Sequence, residues 1–173
     1  MESLIEFGKI LLPAALVLYA MYLGIKVMIA KQLTVKEMEI RQKSIAVTLP
    51  IRLQAFERMS LFLERIAPSN LVIRINQPEL NSKIFHQMLL KEIRDEYNHN
   101  VSQQIYMSDE VWQEIKAAKE DLITAINATA GELDDEASSL DLARNLFEYI
   151  MNKEVDPIEH ALKSLKEEIS KTY

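Results

Sequence analysis

The sequence has no cysteine, only three glycines and only five prolines in 173 residues. Without cysteine there is no disulfide, no thiolate metal ligand and no thiol nucleophile. The glycines stand at 8, 24 and 131, too far apart to build a loop that cradles phosphate. No Gly-x-Gly-x-x-Gly, no P-loop and no Gly-x-Ser-x-Gly elbow occurs. Scarce glycine and proline also remove the usual punctuation of short strands. A chain rich in Leu, Ile, Glu, Ala and Lys is then expected to be helical.

One long apolar run is present, Ile10 to Ala30 (ILLPAALVLYAMYLGIKVMIA), and no later window approaches it. Its 21 residues carry a single charge, Lys26. As a helix it reaches ~30 Å, the thickness of a bilayer's hydrocarbon core. The reading is a retained transmembrane anchor in residues 1–30, because the leader MESLIEFGK lacks the basic start and small-x-small cleavage site of a secretory signal. Lys26, Lys31, Lys36, Arg41 and Lys43 follow at the distance over which positive charge sets topology. That places the N-terminus outside and the bulk of the chain on the cytoplasmic side.

The net charge of −6 is unevenly spread. Residues 109–159 hold four Lys/Arg against fourteen Asp/Glu, whereas residues 1–48 hold six against four. The acidic distal half repels phosphate backbones and argues against nucleic-acid binding. The basic residues nearest the anchor lie where anionic headgroups favour them, so lipids are expected partners through the anchor.

Residues 31–49 contain no breaker and read as a helical stalk continuing the anchor. Val35, Met38, Gln42, Ile45 and Leu49 alternate at spacings of 3 and 4, an a/d seam with one polar position. Two such seams pair in a homodimer; alternatively the stripe packs on the chain's own domain. Alone it spans fewer than three heptads, too few to specify a coiled coil. Val35, Met38, Ile45 and Leu49 are the candidate interaction residues.

Pro50 is expected to start a new helix and a domain of residues 50–173. Leu53, Phe56, Met59, Leu63 and Ile66 line one face of that helix. Ser69-Asn70 suggest a turn, and LVIRI (71–75) reads as a short strand, an extended connector or a buried helical turn. Further helices start at the caps Asn81, Ser108, Ser138 or Ser139, and Asp156. Ile84, Met88, Leu89, Ile93 and Tyr97 are expected inward on the first of these, and Val111, Trp112, Ile115, Leu122, Ile126 and Ala130 on the second. The fold class is all-α: a transmembrane helix running into a stalk, then a bundle of about five helices.

At LPIRLQAFERMSLFLERIAPSNLVIRI, and again at EYNHNVSQQIYMS followed by Trp112, the sequence resembles a family of small Bacteroidota membrane proteins with a domain of unknown function. The likeness covers essentially the whole chain. It implies a bacterial inner-membrane setting and brings no activity, cofactor or catalytic residue.

One constellation has the residue types of a metal site. Glu92, Glu96 and His99 are spaced by 4 and 3, on one helical face, and Glu96-x-x-His99 is half of a di-iron carboxylate pattern. The second half is missing: His86 and His160 have Lys83 and Pro157 three residues earlier. A solvated charged face explains the same spacing. The acidic run 132–141 lacks the glycine and ligand spacing of a calcium loop. Adjacent Glu57-Arg58 and Glu64-Arg65 read as surface ion pairs. The expectation is therefore a non-enzymatic, membrane-anchored scaffold without cofactor, engaging itself or a subunit of an envelope complex. The alternatives are a tethered metalloenzyme using Glu92, Glu96 and His99, or a lipid-binding module.

Overall fold

A computed structural model of the chain describes residues 1–77, 79–134 and 136–171. Among them it is all-α, with helices α1 (Glu2–Ile66), α2 (Pro68–Ile75), α3 (Ser82–Asn100), α4 (Asp109–Gly131), α5 (Ser139–Met151) and α6 (Pro157–Lys171). A 3₁₀ turn, Val101–Tyr106, links α3 to α4. By its internal contacts the chain divides into two units, Met1–Leu49 and Pro50–Tyr173.

The expected helix start at Pro50 is corrected: α1 runs through it. An interior proline deletes one backbone donor and crowds the carbonyl four residues back, at a cost of about 3 kcal/mol. Ending one helix and starting another would orphan up to four carbonyls and four N–H groups instead. The following turns are also held helical by burial of Ala55, Phe56, Met59, Phe62, Leu63 and Ile66. Each large side chain among them contributes about 1.5–3 kcal/mol when fully buried. One missing bond is the smaller loss.

LVIRI resolves in favour of the helical alternative. Pro68 opens α2 at its first turn, and Leu71, Val72 and Ile75 are buried at helical spacing. The β-branched residues fit here because strand preference is a statement about packing surface, which a buried helix face also satisfies. Ser69 and Asn70 consequently lie inside α2 and make no turn; Asn70 Nδ2 donates to the Glu64 carbonyl at 2.8 Å.

In the second unit α4 is central, packing against α3, α5 and α6. It buries Val111, Trp112, Ile115, Ala118, Leu122, Ala125 and Ile126, a band wide enough to serve several neighbours. Buried Thr129 is satisfied within the helix, donating to the Ala125 carbonyl at 2.8 Å. On α3 the inward residues are Phe85, Leu89 and Ile93, with Met88 and Tyr97 partly buried. Ile84 faces out, and Phe85 takes the place expected for it.

Four caps fix where the helices begin. Asn81 Oδ1 accepts from Ile84 N at 2.8 Å, and Ser108 Oγ from Val111 N at 3.3 Å. Ser138 and Asp141 form a reciprocal capping box. Asp156 Oδ1 accepts from Ile158 N at 2.8 Å, just ahead of Pro157. The links before α3 and α5 are joined by two backbone bonds, Ser82 N to the Ala137 carbonyl and Ser139 N to the Leu80 carbonyl.

Candidate functional site

Two surfaces matter: the outward face of the first unit and the charged side of the second. α1 contains the stretch long and apolar enough to cross a membrane by length and composition, and none of that stretch is buried. Every side chain of residues 11–48 is exposed, bulky apolar groups such as Leu16, Leu18, Ile25 and Met28 among them. In water such a surface is costly at about 25 cal/mol per Å². In hydrocarbon it costs nothing, and the backbone is already satisfied by helical bonds.

The four candidate interaction residues also lie on α1. Val35, Met38 and Ile45 are 47%, 61% and 50% exposed, and Leu49 is half-buried. The first unit is a single helix, so it supplies no second element to cover them.

In the second unit Glu92, Glu96 and His99 share α3, and two arginines meet the carboxylates there. Arg65 Nη2 lies 2.6 Å from Glu96 Oε1 and 4.0 Å from Glu92 Oε1. Arg74 Nη1 also pairs with Glu92, while its Nη2 donates to the Arg65 carbonyl at 3.1 Å. His99 turns away to its own helix: Nδ1 donates to the Asp95 carbonyl at 2.7 Å. Two guanidiniums therefore occupy the field a metal cation would need. Among the described residues, no three His, Cys, Asp or Glu stand together as a metal site. Arg65 consequently ties α1 to α3, where the sequence suggested a local pair with Glu64.

Of the other two histidines, His86 is hydrogen-bonded and His160 only approaches a carboxylate. His86 Nε2 is 2.8 Å from Asn127 Oδ1, and His160 Nδ1 is 3.8 Å from Glu114 Oε2. His160 borders an open depression of about 680 Å³ that also meets Glu64, Asp156, Glu159 and Lys163. Its charges are of both signs. Trp112, Tyr97 and Phe85 belong to the packed interior, not to a pocket: Tyr97 stacks on Trp112 at 5.8 Å and tilts against Phe62 at 6.0 Å. Lys119 Nζ sits 4.3 Å above the Tyr97 ring and 2.6 Å from Glu120 Oε1, a cation–π contact closing the aromatic group.

A polar lock escaped the sequence reading. The Glu168 carboxylate accepts from Ser108 N at 2.9 Å and from Ser108 Oγ at 2.6 Å. Arg52 Nη2 lies 3.6 Å from the same carboxylate, and Arg52 Nε donates to the Tyr106 carbonyl at 3.1 Å. The cap of α4 is thereby tied to α6 and α1. Ser108 announces itself as a cap; nothing local announces Glu168 or Arg52 as its partners.

No curated protein and no solved structure matches this sequence. The sequence model of one family matches residues 2–172, nearly the whole chain, and the protein belongs to that family, the "Family of unknown function (DUF7935)".

Proposed function

We propose that the protein is a single-span membrane scaffold, with its N-terminus outside and its helical bundle on the cytoplasmic side of a bacterial inner membrane. The observation that carries this reading is the uncovered apolar surface of α1 over residues 11–30. The orientation rests on Lys26, Lys31, Lys36, Arg41 and Lys43, which follow a leader holding two glutamates and one lysine. The bundle supplies shape and charge for binding, and its most prominent polar groups form ion pairs and caps. Its role is to engage a protein partner, without catalysis.

The test is extraction of membranes at alkaline pH, combined with thiol labelling of single cysteines introduced at Ser3 and Ser170. The expected outcome is protein retained in the pellet, with only the Ser3→Cys thiol reached by an impermeant reagent from outside. Release at alkaline pH, or labelling of Ser170→Cys in intact cells, would overturn it. A pull-down from native membranes in mild detergent then identifies the partner.

A further inference from the structure

Because α1 passes through Pro50 and begins at Glu2, the seam at Val35, Met38, Gln42, Ile45 and Leu49 need not start at the stalk. Counting back at the same alternation gives Lys31, Met28, Gly24, Met21, Val17 and Ala14. From 14 to 49 the row spans 36 residues, just over five heptads; residues 14–25 are apolar on every face and permit the row, and the alternation over the stalk selects it. We infer that this stripe is the interface of a parallel homodimer, in which α1 of a second copy pairs with it through both the membrane and the stalk. The inference rests on the proposed membrane insertion, which delivers both copies in the same orientation.

Three features select a second copy as the occupant, and one charge within the row is accommodated. Gln42, exposed at an a position, has both a donor and an acceptor in its amide, so two identical side chains satisfy each other across a two-fold axis. An apolar partner would leave that amide unpaired. In a parallel pair Arg41 (g) faces Ala46 (e) of the other copy, and Glu39 (e) faces Thr34 (g), so no like charges meet beside the seam. Lys31, the single charge within the row, faces its counterpart at d, and at the end of the apolar run its long stem lets the two ammoniums splay apart into water. Inside the span, Ala20 and Gly24 are four apart, and a Cβ added at Gly24 would meet nothing within 4 Å. Small residues at that spacing let two membrane helices approach closely.

In the stalk one competing row exists. Leu33, Ile40 and Val47 are also exposed, but they recur only every seventh residue, at f, and make a line one residue wide. The absence of native cysteine gives a clean experiment. Single substitutions Val35→Cys, Met38→Cys, Gln42→Cys and Ile45→Cys, against Leu33→Cys, Ile40→Cys and Val47→Cys, are made in the full chain and oxidised in native membranes. Disulfides need Cβ atoms about 3.5–4.5 Å apart, a separation within reach of a and d positions that face each other and out of reach of f positions on the outer side. The expected result is a covalent species of twice the 20.0 kDa chain at the four seam positions, several-fold stronger than at the three f positions. Gly24→Ile should weaken the Met38→Cys band. Membrane-bound protein that gives no seam band, a band peaking at f, equal bands everywhere, or a band shown by mass spectrometry to contain another protein would overturn the dimer. Protein absent from the membrane pellet would instead overturn the anchored reading beneath it.

Discussion

Over residues 11–48 the bulky apolar side chains point outward, while among the described residues of Pro50–Tyr173 most of the same residue types are turned in. Leu16 is 69% exposed and Leu89 is fully buried, though both are leucines on regular helices. The difference lies in what each helix is given to lie against. In the second unit every helix has neighbours, so an apolar stripe suffices and the opposite face carries charge. In the apolar run the apolar residues go all the way round, a pattern satisfied only by lipid or by a surrounding core.

The largest predicted effect breaks that contrast at its root. Leu18→Arg together with Met21→Arg puts two guanidiniums near the middle of the apolar run. At about 2.5–3.5 kcal/mol each, they should shift the protein out of the membrane pellet. Thermal unfolding of the bundle, followed by circular dichroism, should hardly change. Full retention in the membrane would show that this segment is not the anchor.

The reciprocal substitution comes next. Leu89→Ala deletes side-chain volume from a fully enclosed position and should destabilise the bundle by about 2–5 kcal/mol. Leu16→Ala, the same chemical change on an outward site, should leave bundle unfolding where it is. Equal losses from the two would mean that the apolar helix and the bundle unfold as one cooperative body.

A smaller effect is expected at the charged side of α3. Glu96 is mostly buried against Arg65, so Glu96→Gln should cost about 1 kcal/mol in chemical denaturation. A double-mutant cycle with Arg65→Met should show coupling of similar size, because the two side chains touch. Zinc or iron titrated into both proteins supplies the second readout. Stoichiometric binding that disappears in Glu96→Gln would make the carboxylate a ligand and revive the metalloenzyme alternative.

These sites also mark how far the sequence could be read. The apolar run was legible because 21 residues with a single charge have few other uses. The starts at Asn81, Ser108, Ser138 and Asp156 were legible because a cap is a local event, settled within three residues. Pro50 misled because a proline's local cost is visible in sequence, whereas the burial of Phe56 to Ile66 that opposes it is not. LVIRI stayed ambiguous because its β-branched side chains suit any apolar surface; Pro68 at the start of α2 was the usable signal. Adjacency in sequence suggests Glu64 for Arg65, whereas its partner is Glu96, and the Arg52–Glu168 pair spans nearly the whole second unit. Long-range ion pairs leave no spacing rule behind. The seam was visible over the stalk, but its continuation into the span became readable only once α1 proved unbroken.

The smallest effect concerns a single cap and is best seen through pH. The Asp141 carboxylate accepts from Ser138 Oγ at 2.6 Å and from Ser138 N at 3.0 Å, and these two donors hold its pKa below the ordinary carboxylate value. In the unfolded chain the donors are gone and the group returns to about 4. A lowered folded pKa contributes stability that is present above the unfolded value and is lost as pH falls through the folded one. Asp141→Asn should therefore unfold at a lower temperature than the native chain at pH 7, and the gap should close as the pH is taken below about 4. Added salt should narrow it at neutral pH, because the carboxylate lies at the surface. A gap that stayed constant down to pH 3 would assign the loss to packing at the start of α5, and the charge of the capping box would then contribute nothing to it.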